Sequence, residues 1–392
     1  MPKIYINTIK QISAQQPLVD EWFDKPIFYD ENYVRALEPD YKQFFTPNEV
    51  RRLGKILKRA LLVSRQAMSD GGVSQPDAII TGTGLGCIEN TEIFLDKLVR
   101  EGEELLNPTH FMQSTHNTIS SLVAIDAKCN AYNSTYAHKG ISFECALQDA
   151  FMQLQRSGVA HNATTTALVG AHDEMTPAYY NMLKKSGYLD LRSEISDFRF
   201  PISDMRQETN ENRISEIGNQ KSNYFAGETA VAMMLSTEKT EKTMCEIEAV
   251  EKIYLGRETM RYEICDKLLS QISHLNISNP DYIMVGTNGV EENDKVYFEN
   301  CAKLFPNVPL LQYKNIFGES YTAPALGIYA AAVCLQRGQI SDFMMCDMRY
   351  ATRDMRQSNI GSRKSENRKS KILCYNHFEN KNHTFVLLSS NF

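Results

Sequence analysis

No stretch of the sequence is long and apolar enough to span a membrane. Met1-Pro-Lys-Ile-Tyr-Ile-Asn7 has no signal-peptide core and reads as an edge or first strand, so the chain is expected to work in the cytosol. A basic excess is missing too: the net charge is −6, which argues against a general nucleic-acid binder. Nine cysteines stand singly at positions 87, 129, 145, 245, 265, 301, 334, 346 and 374, with no Cys-x-x-Cys pair. Such an odd, dispersed set excludes a disulfide framework and a zinc site and fits reduced thiols. None of the eight histidines forms a His-x-x-x-His or His-Glu-x-x-His pattern, so no metal is expected. Gly-x-Ser-x-Gly, the frame of a serine nucleophile elbow, does not occur.

What is present is strand and helix in alternation, the mark of an α/β fold. Thr46-Pro-Asn-Glu49 is a capping box with proline at the first helical position, and it predicts a helix running through Val50 to Met68. Asp77 to Gly86 is an apolar strand that ends in a glycine-rich turn. In Tyr136 to Ala150, a loop leads into a helix whose Phe143, Ala146, Leu147, Ala150, Phe151 and Leu154 recur at helical spacing, so one face should be buried. A helix start of this kind leaves backbone amides unpaired and favours a thiolate or an oxyanion. The only thiol there, Cys145, lies more than a turn inside and reads as a core residue.

An internal repeat organises the chain. Asp77-Ala-Ile-Ile-Thr-Gly-Thr-Gly84 is echoed by Asp281-Tyr-Ile-Met-Val-Gly-Thr-Asn288. The helix from Ala146-Leu147 to Gly158 and the strand Ala167 to Asp173 are echoed by Ala325-Leu326 to Gly338 and by Phe343 to Asp347. Two matches in one order predict a duplicated α/β unit, with halves 1–240 and 241–392 meeting near the polar stretch Thr237 to Thr243 and acting as one double-lobed body. Thr352 to Lys371, rich in Arg, Lys, Ser and Asn, is expected to be a mobile basic loop between two strands of the second half. Gly82-Thr-Gly84-Leu-Gly86 invites a dinucleotide reading but is not Gly-x-Gly-x-x-Gly, so a tight structural turn is expected and no cofactor. His138 and His172 read as loop or strand-end histidines, with catalysis as the alternative.

Thr81-Gly-Thr-Gly-Leu-Gly86, Asn107-Pro108 ahead of a helix, Val169-Gly-Ala-His-Asp-Glu-Met-Thr-Pro177, Phe225-Ala-Gly-Glu-Thr-Ala230, and Lys314 followed by Gly318 and a small-residue helix stand in an order that resembles the β-ketoacyl synthases of the thiolase-like superfamily, over most of the chain. That resemblance implies a five-layer αβαβα arrangement of two similar halves. It also implies a site in which a helix-start cysteine takes an acyl chain as a thioester, two histidines assist decarboxylation, and a lysine orders the pocket. With Ala146, Leu147 and Ala150 in register, the cysteine position falls on Gly140, the first histidine on Val285 or Gly286, and the second on Glu319; only Lys314 matches. The Gly-Phe-Gly-Gly-Thr-Asn loop becomes His377-Phe-Glu-Asn-Lys-Asn382.

Such a chain resembles a chain-length factor, a subunit that pairs with an active synthase in polyketide, aryl-polyene or fatty-acid-type biosynthesis and is inactive in condensation alone. The implied partners are that synthase in a heterodimer, or a second copy, and an acyl carrier protein. Arg353, Arg356, Arg363, Lys364, Arg368, Lys369 and Lys371 of the basic loop would dock the acidic carrier. The alternative is a standalone acyltransferase of the same fold that uses His138, Cys145 or His172.

Overall fold

The computed structural model of the protein describes residues 2–103, 106–156, 164–186, 224–256, 264–272, 277, 280–346 and 369–390. The strands are β1 (Ile4–Ile12), β2 (Ala78–Gly82), β3 (Tyr132–Tyr136), β4 (Thr166–Asp173), β5 (Thr229–Ser236), β6 (Cys245–Tyr254), β7 (Tyr282–Val285), β8 (Leu310–Gln312), β9 (Lys371–Phe378) and β10 (Asn382–Ser389). The helices of the first half are α1 (Pro47–Val50), α2 (Lys55–Asp70), α3 (Ile88–Glu101), α4 (Pro108–Ser114), α5 (Thr118–Asp126), α6 (Ser142–Gln155) and α7 (Pro177–Lys185). Those of the second are α8 (Ile264–Ile272), α9 (Glu291–Leu304), α10 (Lys314–Phe317) and α11 (Pro324–Arg337).

The duplication read from the sequence is written into the sheet. Its ten strands lie in the order β3-β2-β4-β5-β1-β6-β10-β9-β7-β8, so each half places its second, third, fourth, fifth and first strands alike on either side of a β1–β6 seam. Pairing directions repeat as well: β2 is parallel to β3 and β4, and β7 to β8 and β9, while β5 and β10 run antiparallel to both their neighbours. The seam is short, with Ile4, Tyr5 and Ile6 opposite Ile247, Glu246 and Cys245. The first strand is therefore an interior strand, not an edge.

Side-chain alternation divides the layers, because neighbouring residues of a strand point to opposite faces. In β2, Ala78 and Ile80 join a central core with α6 and α11, whereas Ile79 joins the core under α2 and α5. In β7, Met284 faces the same central core, whereas Ile283 and Val285 face α8 and α9. Outer helices, the strands of the first half, the α6–α11 pair, the strands of the second half and outer helices make the five layers expected from the resemblance. Helix α11 is buried from Pro324 to Leu335, as a helix packed between the two halves of the sheet must be, and Gly327 and Ala330 to Ala332 let it fit. Each large side chain so covered, such as Leu326 or Ile328, contributes roughly 1.5–3 kcal/mol.

Two local expectations fail. The capping box at Thr46 forms, with Glu49 bonded to the Thr46 backbone and hydroxyl, but α1 ends after one turn and α2 begins afresh beyond Gly54, whose extended backbone interrupts the helix. Of the expected strand Phe343 to Asp347, the described residues 343–346 are not the fourth strand of the second half: Asp342–Met344 is a single 3-10 turn, and Met345 makes an isolated bridge to Leu311. Lys371–Phe378 takes that place beside β7, because its alternating Ile372, Leu373, Cys374 and Tyr375 serve both cores at once. Residues 347–368, most of the expected basic loop, lie outside the described residues.

Candidate functional site

Sheet register makes Asp173, at the end of β4, the counterpart of Phe378, at the end of β9. Phe378 reaches the start of α6. Gly140 lies in a 3-10 turn, Lys139–Ile141, that opens on Lys139 in the left-handed region at φ 46°. A Cβ at Gly140 would meet the Phe378 ring, with Cε2 3.0 Å away and Cδ2 nearer still. The space that a side chain at position 140 would need is thus taken by an aromatic ring.

Below it, Asn376 ties several elements together. Its Nδ2 donates to the Gly140 carbonyl (3.2 Å) and to Glu144 Oε1 (2.6 Å), and its Oδ1 accepts from the Tyr297 hydroxyl (2.9 Å). Thr384 adds a bond to Glu144 Oε1 at 3.2 Å. Burial pushes the Glu144 carboxyl up to about 7, against the pull of these bonds and of the Lys314 charge. Glu144 Oε2 has no partner among the described residues, and Glu144 lines a cavity of about 20 Å³ with Phe143, Met284, Tyr313 and Asn376, room for a single water.

Of the two first-histidine candidates, Val285 points away into the outer core and is no part of this arrangement. Gly286 does face it, and a Cβ there would lie 2.6 Å from the Tyr297 hydroxyl, 3.1 Å from Asn376 Oδ1 and 3.2 Å from the Tyr313 hydroxyl. Tyrosine hydroxyls thus crowd the position. Glu319, which the resemblance sets against the second histidine, accepts from Lys314 Nζ at 2.7 Å and from Asn288 Nδ2 at 2.9 Å, with both charged side chains nearly buried. Asp294 secures the same turn by accepting from the Asn288 and Gly289 amides at 2.9 and 3.0 Å. Burial lifts its carboxyl to about 6.

The structure therefore gathers Gly140, Gly286, Lys314 and Glu319 around Asn376 and Glu144. Neither of the last two was singled out in the sequence, and no motif marks them, since a Glu on an apolar helix and an Asn in a strand acquire roles only by packing. The alternative trio is not gathered. His138 is exposed, and its backbone amide donates to Ser142 Oγ at 2.7 Å. His172 follows Ala171 on β4 and so is buried on the sheet face opposite the central core, both ring nitrogens without a partner among the described residues; burial lowers its pKa to about 3, so it is neutral. Cys145 sits against Lys252, and burial pushes its thiol up.

The glycine-rich turn after β2 is also occupied from within. Asp173 accepts from Thr83 Oγ1, Gly84 N and Leu85 N at 3.0, 2.9 and 2.9 Å, leaving those amides nothing to offer a pyrophosphate. Of the loop cations expected to dock a carrier, Arg353, Arg356, Arg363, Lys364 and Arg368 lie outside the described residues. Lys369 pairs with Glu246 at 2.9 Å and Lys371 with Glu248 at 2.6 Å. Among the described residues no cluster of three or more His, Cys, Asp or Glu could hold a metal ion, and no helix is long and apolar enough to cross a membrane.

Residues 36–249, more than half of the chain, match the family model described as β-ketoacyl synthase, N-terminal domain. No curated protein matches the sequence. Among solved structures, the ishigamide ketosynthase/chain length factor is 14% identical with a TM-score of 0.66. A β-ketoacyl synthase from Burkholderia phymatum STM815 is 11% identical with a TM-score of 0.70. The complex AntDE:AntF, a type II polyketide synthase acyl-carrier protein with its ketosynthase bound to the hexaketide, contains a chain 10% identical with a TM-score of 0.68. In all three, 100% of each chain is covered. At these identities the likeness is one of fold.

Proposed function

Because the chain belongs to the β-ketoacyl synthase family, we propose that it is a non-catalytic, chain-length-factor-like subunit that pairs with an active β-ketoacyl synthase in polyketide, aryl-polyene or fatty-acid-type biosynthesis. The observation that carries this reading is the filled space at the three positions where condensation would need reactive side chains. Glycine at 140 has no atom with which to attack a thioester, and Phe378 covers it. Glu319, ion-paired with Lys314, offers a negative charge where an enolate would form, and like charges there raise the barrier instead of lowering it.

Pairing has physical support of its own. Strand β3 ends the sheet with one edge unpaired among the described residues, and Tyr132 on it is exposed. Helix α5 packs on β3, α4 packs on α5, and α3 packs on α4. Leu95 and Val99 of α3 and Phe111 and Met112 of α4 are exposed, with Val99 84% so. Apolar helical surface beside an open strand edge suits another chain of the same fold. The two similar solved structures named for a ketosynthase with a chain length factor and for a ketosynthase with its carrier belong to assemblies of this kind.

In this reading the halves 1–240 and 241–392 act as one body, the cations of 353–369 receive the acidic carrier, and the complex works in the cytosol. Co-expression with a cysteine-containing synthase from the neighbouring genes is expected to yield a stable one-to-one complex. A self-dimer alone, beside a synthase fully active without it, would overturn the proposal.

A further inference from the structure

Cys145 lies on α6, and Lys252 on β6, in the other half of the chain. On β6 Val250 faces the central core and Ile253 the outer one, so Lys252, two residues beyond Val250, projects inward toward α6. Its Nζ donates to Cys145 Sγ at 3.2 Å, and among the described residues no carboxylate pairs with it. Cys145 is buried, 6% exposed as a residue, while Lys252 is exposed, so the pair lies at the rim of the central layer and a small solute would approach it from the lysine side. No residue of the filled site uses either group.

We propose that Cys145 and Lys252 form an oxidant-triggered covalent clasp between the two halves, closed as an S–N bond when hydrogen peroxide is the oxidant. In the first step the sulfur attacks one peroxide oxygen, the O–O bond breaks, Cys145 becomes a sulfenic acid and one water leaves. In the second, Lys252 as the free amine attacks that sulfur, the S–O bond breaks, and hydroxide departs with the amine proton as a second water. The sulfur is oxidised, the peroxide is reduced, and the joined side chains carry two hydrogens fewer than before. Condensation of a sulfenic acid with a nitrogen is established sulfur chemistry, and a nitrogen already in contact needs only a small approach. Burial keeps the thiol protonated more than usual while the Lys252 charge pulls the other way, so the reaction is slow and selective. A closed clasp would fix α6, and with it Gly140, to the sheet of the second half.

The test treats the full chain with hydrogen peroxide and maps it by mass spectrometry under non-reducing proteolysis. The expected product is a peptide pair joining Cys145 to Lys252, lighter than the separate peptides by two hydrogen atoms and released by dithiothreitol. Peroxide is also expected to raise the melting temperature of the wild-type chain and not that of Lys252→Arg, whose exposed position tolerates the change. In Lys252→Arg, Cys145 should stop at sulfenic or sulfinic acid. Wild-type Cys145 carried to sulfinic acid beside a free Lys252 peptide, Cys145 unmodified under the same treatment, or equal melting shifts in the two proteins would each overturn the proposal.

Discussion

The two halves of the molecule share a frame and differ in what they do with it. After β2, the turn Thr83 to Leu85 is held by one buried carboxylate, Asp173, which takes three donors. After β7, the matching turn is held by Asp294 together with a Lys314–Glu319–Asn288 chain that carries both charges. At the start of α6 stands Gly140 under an aromatic ring; the same distance before the matched alanine of α11 stands Glu319, in an ion pair. Strand order and apolar alternation fix the frame through many residues, whereas chemistry rests on a handful. A chain can therefore keep the frame and fill the site with structural groups.

The largest way to break the comparison is at the charged turn. Lys314→Met leaves the Glu319 carboxylate nearly buried without its cation, and a loss of about 4 kcal/mol is expected in urea unfolding, with Glu319→Gln in the same background recovering most of it. Asp173→Ala strands the Thr83 hydroxyl and the Gly84 and Leu85 amides and is expected to cost about 3 kcal/mol; Asp294→Ala strands the Asn288 and Gly289 amides while Asn293 Nδ2, its third donor, keeps Asn288 Oδ1 as acceptor, and about 2 kcal/mol is expected. Equal losses at the two turns would show that the carboxylates do not hold them as described.

Gly140→Ala sharpens the contrast at the helix start. The added methyl group must displace Phe378, and about 2 kcal/mol of destabilisation is expected, relieved when Phe378→Ala is added. A neutral Gly140→Ala would mean that the ring yields freely.

The smallest effect is in pH. Burial holds Glu144, Glu174 and Asp173 of the first half at about 7, 7 and 6, above ordinary carboxyl values. Their contribution to stability is present in acid and lost as pH rises through those values. In the second half burial lowers His377 and His383 to about 3 and 4, so their contribution is present above the ordinary imidazole value and lost as pH falls toward those values. Asp294 of the second half acts with the carboxyls. From pH 7.5 to 5, hydrogen exchange is expected to slow in α6 and β4 relative to β9 and β10, after correction for intrinsic rates. The same change in both halves would contradict these assignments.

Much of the frame was legible because it depends on period and order. The spacing of Phe143, Ala146, Leu147 and Leu154 gave the buried helix, and the matched strands at Asp77 and Asp281 gave the duplication. The break at Gly54 and the true place of the last parallel strand were not, since an apolar run such as Phe343-Met-Met-Cys does not reveal whether a sheet position is already taken by Lys371–Phe378. Gly140, Lys314 and Glu319 were proposed by counting along a resemblance. Asn376, Phe378 and Glu144 became visible only when β9 and α6 were brought together, because their roles depend on contacts between residues far apart in sequence.

The central claim is that this chain supplies shape and not a nucleophile. Its most direct test is to load the co-purified complex with an acyl thioester of the carrier protein and weigh each chain intact by mass spectrometry. The account expects the acyl mass on the partner synthase alone, with this chain unchanged; an acyl adduct on this chain that turns over into product would contradict it.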